Sequence, residues 1–378
     1  MADPISPGQF FLVAAVSVVA GGVYIWPETV LRDAGWDAPW SVLISIGCAL
    51  GLVYLSASWP PLAPGETEFG RMRTVWGPWR WPLFGAMLAL YVPLDSVLMA
   101  LFSHMLHQIF YPLTPRWIFM ASIVAMVGWL ASAPLSHIAR NIQWWFPLII
   151  GSFFLLAVMA LTHFHEGVAL MPAAHLRLWP IARGTVATWY LWMQGEVIVT
   201  VGGHVRGASW RQVRRWAVGA IAFQAVVVLI IYALVVGTLG PTISSTLEWP
   251  VIYIFSNLTV QTLFISRPSF FIIVAWVVAL VLYLTIHLFV LSVNLQDGFQ
   301  ASEGYRWGVV WGLSLVEWIL AQWWTTPLLA TDVVIHLIDP VALALTVSTT
   351  ILAPLILGVR RGNCLPRVAR ALGGRNSR

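Results

Sequence analysis

Residues 17–30 read SVVAGGVYIWPETV, and the reading of this stretch decides the fold. It sits inside a long apolar run, yet it carries Gly21 and Gly22 side by side and Pro27 five residues later. A chain crossing a bilayer must satisfy its backbone groups internally. Non-helical backbone at membrane depth is tolerated only where protein covers it or where it lines a cavity. Two readings follow. Ala20, Gly21 and Gly22 either let a neighbouring helix approach closely, as small residues do in membrane bundles, or mark a point where the helix unwinds. In the second reading a new half-helix starts near Val23, and its free N–H groups and positive dipole end suit an anionic group such as a carboxylate. Pro27 then falls in the first turn of that half-helix, where its missing N–H costs little.

The rest of the chain places this stretch in a membrane. Hydrophobic residues make up 59% of the 378 and charged residues 9%, with a mean hydropathy of +0.82. That balance lies outside the range of soluble globular domains. A span needs about 20 mainly apolar residues, and ten stretches qualify, near 9–31, 39–60, 82–110, 114–133, 142–163, 185–202, 214–239, 269–293, 307–325 and 333–359. The third and last are long enough to tilt or to extend into the interface. The opening MADPISPGQF lacks a positive n-region and a small-residue cleavage site, so the first run is expected to stay as a helix rather than to act as a signal peptide.

Orientation follows from arginine, because the chain contains no lysine. With the N-terminus inside, fifteen arginines fall on inner segments, including the six between Arg360 and Arg378, and five fall outside: Arg32, Arg116, Arg177, Arg183 and Arg267. Cytoplasmic loops retain positive charge, so both termini are expected to be cytoplasmic. Arg140 and the run Arg211 to Trp216 fit the same inner-face role. Many of the 23 tryptophans stand near span ends, such as Trp36, Trp40, Trp59, Trp79, Trp81, Trp323 and Trp324, as in an interfacial aromatic belt. The longest outer connections are 164–184 and 240–268. Within the second, PVIYIFSNLTVQTLFI is too apolar for a free loop and is expected to be a helix on or dipping into the outer surface.

Several function classes drop out. Without lysine there is no phosphate-cradling Gly-rich loop of the usual kind, and no nucleophile elbow or zinc-ligand pair occurs. No enzyme, catalytic residue, cofactor or metal is expected. No basic run interleaved with aromatics points to nucleic acid. Cys48 lies in an apolar run and Cys364 in the arginine-rich tail, which allows neither a disulfide framework nor a cysteine metal site. His104 and His107 share one face of the third span but sit toward its outer end.

The sixth span, GTVATWYLWMQGEVIVTVGG, repeats the feature of the first: Gln194, Gly195 and Glu196 form a polar break near its middle. Five spans separate the two breaks, so the two helices cross in opposite directions. An inverted repeat of five plus five helices has that form, with its substrate site between the interruptions. The expected organisation is a single transmembrane domain, 1–378, with repeat one about 9–163, repeat two about 185–359, and an arginine-rich tail, 360–378.

Ionisable residues inside spans cost at least about 2–3 kcal/mol near the bilayer centre unless they face a cavity or a partner. Asp95 and Glu196 lie nearest to mid-span, followed by Glu317 and by His287 in LTIHLF. For Asp95 and Glu196 the choice is between a ligand contact and a satisfied interhelical hydrogen bond. Asp339-Pro340 in the tenth span reads as a kink with local hydrogen bonding.

Taken in order, the stretches ISPGQFFLVAAVSVVAGGVYIWPETVLRDAGWDAPW, HIARNIQWWFP, ALMPAAHLRLWPIARG and LEWPVIYIFSNLTVQTLFISRPSFFIIVAWVV resemble the spore germination permease family. These are the GerAB-like membrane-embedded B subunits of germinant receptors, within the amino acid-polyamine-organocation superfamily. The resemblance spans nearly the whole chain. It implies an all-α, LeuT-like fold of ten helices in a five-plus-five inverted repeat, with helices one and six discontinuous. It also implies a pocket among helices one, three, six and eight for a small germinant, commonly an amino acid. Carried over by position, Gly21, Gly22 and Val23, after Ala20, would hold the ligand carboxylate through backbone N–H groups. Gln194, Gly195 and Glu196 would face the ligand from helix six. Asp95 and Tyr91, one turn apart, would close one side, with His287 from helix eight. The implied partners are a larger A-type membrane subunit and a lipoprotein C-type subunit in the inner membrane of the spore, with membrane lipid around them.

Ion coupling has little support in the sequence. Sodium-using transporters of this fold often place adjacent hydroxyls on helix eight, where this chain has only Thr285 and Ser292, seven residues apart. A proton-coupled variant would use a basic residue on helix five, and none follows Arg140 there. That leans toward a ligand sensor. An ion-coupled amino acid permease, and an ion-conducting subunit with Asp95, Glu196 and Glu317 along a cation path, remain as alternatives. Trp26, Trp189 and Trp192 offer aromatic walls suited to an apolar or aromatic ligand.

Overall fold

The computed structural model describes residues 3–19, 25–58, 65–171, 176–193, 195–257 and 269–352. These form helices α1 (Pro7–Val19), α2 (Trp26–Ala34), α3 (Ala38–Ser56), α4 (Glu68–Trp76), α5 (Arg80–Met105), α6 (Arg116–Ala131) and α7 (Leu135–Ala160). The second half adds α8 (Leu178–Val186), α9 (Gly195–Gly202), α10 (Trp210–Ser244), α11 (Pro250–Asn257), α12 (Ser269–Phe299), α13 (Glu303–Trp323) and α14 (Pro327–Val333). A π turn, Val334–Ile338, carries α14 into further helix that runs to 352. Among the described residues there is no strand, only an isolated parallel bridge between Ile5 and Val205. Six stretches among the described residues are long and apolar enough to cross a membrane, and the protein is a multi-pass, all-helical membrane protein.

Two predicted spans appear as pairs of short helices. The first consists of α1 and α2, and Pro27 stands in the first turn of α2; residues 20–24, which include Ala20, Gly21, Gly22 and Val23, lie outside the described residues. The sixth consists of α8 and α9 joined through a 3-10 turn, Trp189–Trp192. Here the structure corrects the sequence. The span begins at Leu178, inside what reads as an outer loop, because Leu178, Trp179, Pro180 and Ile181 open a short amphipathic helix. Among the described residues its interruption covers 187–193 rather than centring on Gln194, Gly195 and Glu196. Gly195 and Glu196 instead open α9, and Gln194 lies outside the described residues. The fifth span starts earlier than expected, at Leu135, just after Pro134, which cannot continue a helix from its own N–H. The apolar outer connection is helical over Pro250–Asn257; 258–268 lie outside the described residues.

The interior is apolar around these interruptions. Helix α1 packs against α10, α7 and α12, while α5 packs against α13 and α6, and α12 touches α6, α7 and α13. The buried faces include Phe10, Phe102, Leu94, Leu98, Phe289 and Trp189. Trp79, Trp81 and Trp323 are exposed, as lipid-interface residues are, whereas Trp324 turns inward and donates from Nε1 to Ser96 Oγ at 2.9 Å. Arg306 donates to the carbonyls of Ala131 and Ser132 at 2.8 and 2.7 Å, closing the C-terminal end of α6 with positive charge.

Helix α8 reaches the core through Gly184. A β-carbon added there would stand 2.6 Å from Ser41 Oγ and 2.7 Å from Ala34 Cβ, so α8 lies against α2 and α3 at glycine distance. Gly184→Ala is therefore expected to destabilise the fold by about 1–3 kcal/mol through overpacking. The drop in thermal unfolding midpoint of the detergent-purified protein measures it, with Gly47→Ala, which meets nothing within 4 Å, as the comparison.

Candidate functional site

The interrupted helix α8–α9 turns its polar start toward α5. Glu196 is 3% exposed, and its Oε2 accepts a hydrogen bond from the Tyr91 hydroxyl of α5. Tyr91 also meets the edge of the His287 ring from α12, with centroids 5.7 Å apart and planes at 77°. Asp95, one turn on from Tyr91, brings Oδ1 to 3.4 Å from His287 Nδ1, both side chains being 1% exposed. Tyr91, Asp95, Glu196 and His287, from three helices, thus form one contiguous polar group in the middle of the bundle.

A cavity of about 80 Å³ abuts this group. Tyr91, Gly195, Glu196, Trp189 and Trp192 stand at its deep end. Leu52, Val53, Met87 and Leu345 form apolar walls, and Ser56, Glu68, Thr346 and Thr349 lie toward its other end. Among the described residues no arginine or histidine lines it. Since Ser56 ends α3 and Glu68 begins α4, the cavity reaches toward the end of the bundle that carries Ile5 and Val205, here the near end. Asp95 and His287 lie behind its wall rather than on it. Trp26, expected as a third aromatic wall, is fully buried and stacks on Tyr232 at 5.9 Å instead.

The opposite, far end is crossed by ion pairs. Arg32 of α2 bridges Asp332 of α14 at 2.9 Å and Glu28 at 3.2 Å, while Arg177 and Arg183 each reach an aspartate of the α2–α3 region, Asp37 and Asp33, at 2.7 Å. The Arg32 and Asp332 side chains are 28% and 44% exposed. A double-mutant cycle is accordingly expected to give a coupling below about 1 kcal/mol that shrinks with added salt.

Sequence reasoning overlooked three residues that shape the site. Gln224 of α10 donates from Nε2 to the Leu191 carbonyl at 2.9 Å, occupying a backbone acceptor that the interruption frees from helical pairing. Its signal was plain, a lone amide in the run AIAFQAVVVLI. Glu68 and Thr349, at the cavity's outer part, fall outside the span centres where ionisable residues draw notice. His104 and His107 do not converge: His104 Nε2 faces the Trp324 carbonyl at 3.0 Å and His107 Nδ1 the Thr114 carbonyl at 2.9 Å. No group of three or more metal-ligating side chains occurs among the described residues.

Comparison with known proteins decides the relationship. The family model described as "Spore germination protein" matches residues 4–327. The chain is a member of the spore germination permease family. Among curated relatives of this permease, the spore germination protein YndE of Bacillus subtilis (strain 168) is 22% identical over 302 residues, covering 78% of this chain and 81% of YndE. Solved structures share the permease's fold at low identity. MhsT in complex with L-phenylalanine has a TM-score of 0.68 at 13% identity, over 92% of this chain and 90% of MhsT. A Na+-coupled sialic acid symporter in a substrate-bound outward-open state has a TM-score of 0.59 at 11% identity, over 89% and 77%. The spore germination permease is thus built on a LeuT-like transporter fold and is not an enzyme.

Proposed function

We propose that this spore germination permease is the ligand-sensing membrane subunit of a germinant receptor, and that its ligand is an amino acid. The observation that carries the reading is the placement of the cavity. It ends on Tyr91, Gly195 and Glu196 where the sixth span is interrupted, the position at which transporter folds with discontinuous helices hold substrate. MhsT, with the same fold, is described as binding L-phenylalanine, and the indoles of Trp189 and Trp192 suit an apolar or aromatic side chain. In this reading Ala20, Gly21, Gly22 and Val23 hold the ligand carboxylate, Gln194, Gly195 and Glu196 face its amine, and Tyr91 closes one side, with Asp95 and His287 supporting it from behind. The two split spans belong to a five-plus-five inverted repeat of ten helices, about 9–163 and 185–359, within one transmembrane domain. The subunit works in the spore inner membrane with both termini cytoplasmic, beside an A-type membrane subunit and a lipoprotein C-type subunit. Ligand occupancy shifts a conformational equilibrium that those partners read.

An ion-coupled amino acid permease is the second reading. It is favoured by the asymmetry of the two ends, a cavity reaching toward one and ion pairs across the other, which is what one state of an alternating-access cycle requires. Radiolabelled amino acids offered to the protein in liposomes, with and without an imposed proton gradient, separate the two. Saturable binding that never exceeds site stoichiometry means a sensor. Accumulation above equilibrium that collapses with the gradient means a permease. Loss of binding in Gly22→Leu places the ligand at the first interruption, and unchanged affinity removes it from there.

A further inference from the structure

The polar group behind the cavity wall holds more ionisable side chains than ligand contact requires. Asp95 and His287 face each other across 3.4 Å, and Tyr283, one turn before His287, lays its ring over the imidazole with centroids 4.1 Å apart. Glu317 of α13 is 1% exposed and close enough to Asp95 for their charges to interact. Asp95 is approached by His287 and Tyr283, and its two oxygens, both nitrogens of His287, Oε1 of Glu317, and the hydroxyls of Thr285 and Ser314 make no hydrogen bond of good geometry among the described residues. Groups left so in a bilayer interior are costly, and each needs a bound species or a function to account for it.

The charge balance is one-sided. The titratable groups whose charges reach this pair are Tyr91 on α5, Glu196 on α9, Tyr283 on α12 and Glu317 on α13, and no arginine is among them. Arg306 of α13 lies over the Phe289 ring at 5.3 Å but spends its guanidinium on the Ala131 and Ser132 carbonyls; α1 has no charged residue, and Arg116, His137 and Arg140 stand in the first two turns of α6 and α7. Helix α4 meets α12 at Asn294 and Asp297, two turns or more from His287, which keeps Glu68, Arg71 and Arg73 away. Glu196 and Glu317 thus add negative charge around the Asp95–His287 pair in a low-dielectric interior, an arrangement that added positive charge stabilises. A hard cation needs a shell of about six oxygens, and no three metal-ligating side chains converge among the described residues. A proton needs only two facing atoms.

We propose that Asp95 and His287 form a proton-binding site, with Glu317 as the adjoining acceptor and with Tyr91 and Glu196 linking it to the cavity. Tyr91 touches both sides, donating its hydroxyl to Glu196 and meeting His287 with its ring, so ligand contact at Glu196 is felt one residue away from the protonated pair. Proton uptake forms one O–H or N–H bond at the pair and breaks one in the donating water; nothing is oxidised or reduced. On the second reading of function, such a site supplies the ion coupling for which helices five and eight lack the usual residues.

The test uses the full chain in liposomes and needs no ligand. Infrared difference spectra recorded across a pH titration are expected to show a buried carboxylic acid C=O band that appears on acidification, is unaffected by sodium, and is lost in Asp95→Asn. Should Asp95→Asn fail to fold, His287→Gln gives an equivalent readout: one of the nine histidines' contribution to the imidazole ring bands is lost and the midpoint of the carboxyl band moves. A titration signal that sodium abolishes at fixed pH would overturn the proposal in favour of a sodium site. A carboxyl band that persists unchanged in Asp95→Asn, or spectra that do not respond to pH, would leave the cluster a structural one and end the proposal. None of these outcomes depends on whether the cavity binds an amino acid.

Discussion

Glu196→Gln is expected to weaken saturable amino acid binding by about 10- to 150-fold, the equivalent of the 1.5–3 kcal/mol carried by a hydrogen bond to a charged group. The substitution is close to isosteric, and the new amide oxygen can still accept from Tyr91, so the fold and the Tyr91 contact are kept. What goes is the negative charge at the deep end of a cavity with no positive side chain on its walls among the described residues. A ligand ammonium loses its partner there, whereas an apolar or carboxylate contact elsewhere in the cavity is left as it was. Glu68→Gln removes the other carboxylate of the lining from the far side of the cavity, and is expected to change affinity less than threefold. Equilibrium binding of the best amino acid from the liposome panel measures both. Equal loss in the two variants would mean that general negative potential, not Glu196, recruits the ligand. No loss in either would move the site elsewhere.

Some of this was legible in the sequence because the bilayer makes its rules strict. Backbone that cannot be hydrated must be helical or sheltered, so glycine and proline in the middle of an apolar run carry information they would lack in a soluble helix. Pro27 opens α2 and Gly195 opens α9 for that reason. Asp95, Glu196 and His287 could be singled out because an ionisable side chain in a span is expensive, Tyr91 came from the family resemblance, and the structure brings all four together. The extent of the second interruption was not legible. The stretch 187–193, ATWYLWM, is as apolar as a helix, and it is held as a turn by a tertiary contact, Gln224 on the Leu191 carbonyl, that hydropathy does not encode. Likewise the start of α8 at Leu178 reads as loop because Arg177, Pro180 and Arg183 surround it. Arg177 and Arg183 are in fact held by Asp37 and Asp33, about 140 to 150 residues away in the chain.

Asn294→Leu is expected to cost about 2–6 kcal/mol of stability, since it leaves two buried polar groups unmatched at about 1–3 kcal/mol each. Asn294 is 1% exposed. Its Oδ1 accepts from the Phe69 amide at 2.7 Å, and its Nδ2 donates to Thr200 Oγ1 at 3.1 Å and to the Val290 carbonyl at 2.8 Å. Thr200 Oγ1 in turn accepts from the Glu68 amide at 3.2 Å, and Thr67 donates to Asp297 at 2.5 Å. One polar knot therefore ties the start of α4, the end of α9 and the end of α12 together. It continues to the near end of the bundle, where the Gly65 amide donates to the Gly203 carbonyl at 2.8 Å and the Ile5 amide to the His204 carbonyl at 3.2 Å. Gly203 permits that approach, because a β-carbon there would stand 2.6 Å from the Glu66 carbonyl oxygen. Thr200→Val should behave like Asn294→Leu but not add to it, because both act on one network, giving a coupling energy of about 0.5–3 kcal/mol. Thermal unfolding of the purified protein, followed by tryptophan fluorescence, provides the cycle; strict additivity would show that the two residues act separately. The knot also bears on function. It fastens α9, which carries Glu196 in its first turn, to the side of the bundle toward which the cavity reaches. A variant that loosens it favours states in which that side opens wider, and should speed ligand release more than it slows binding.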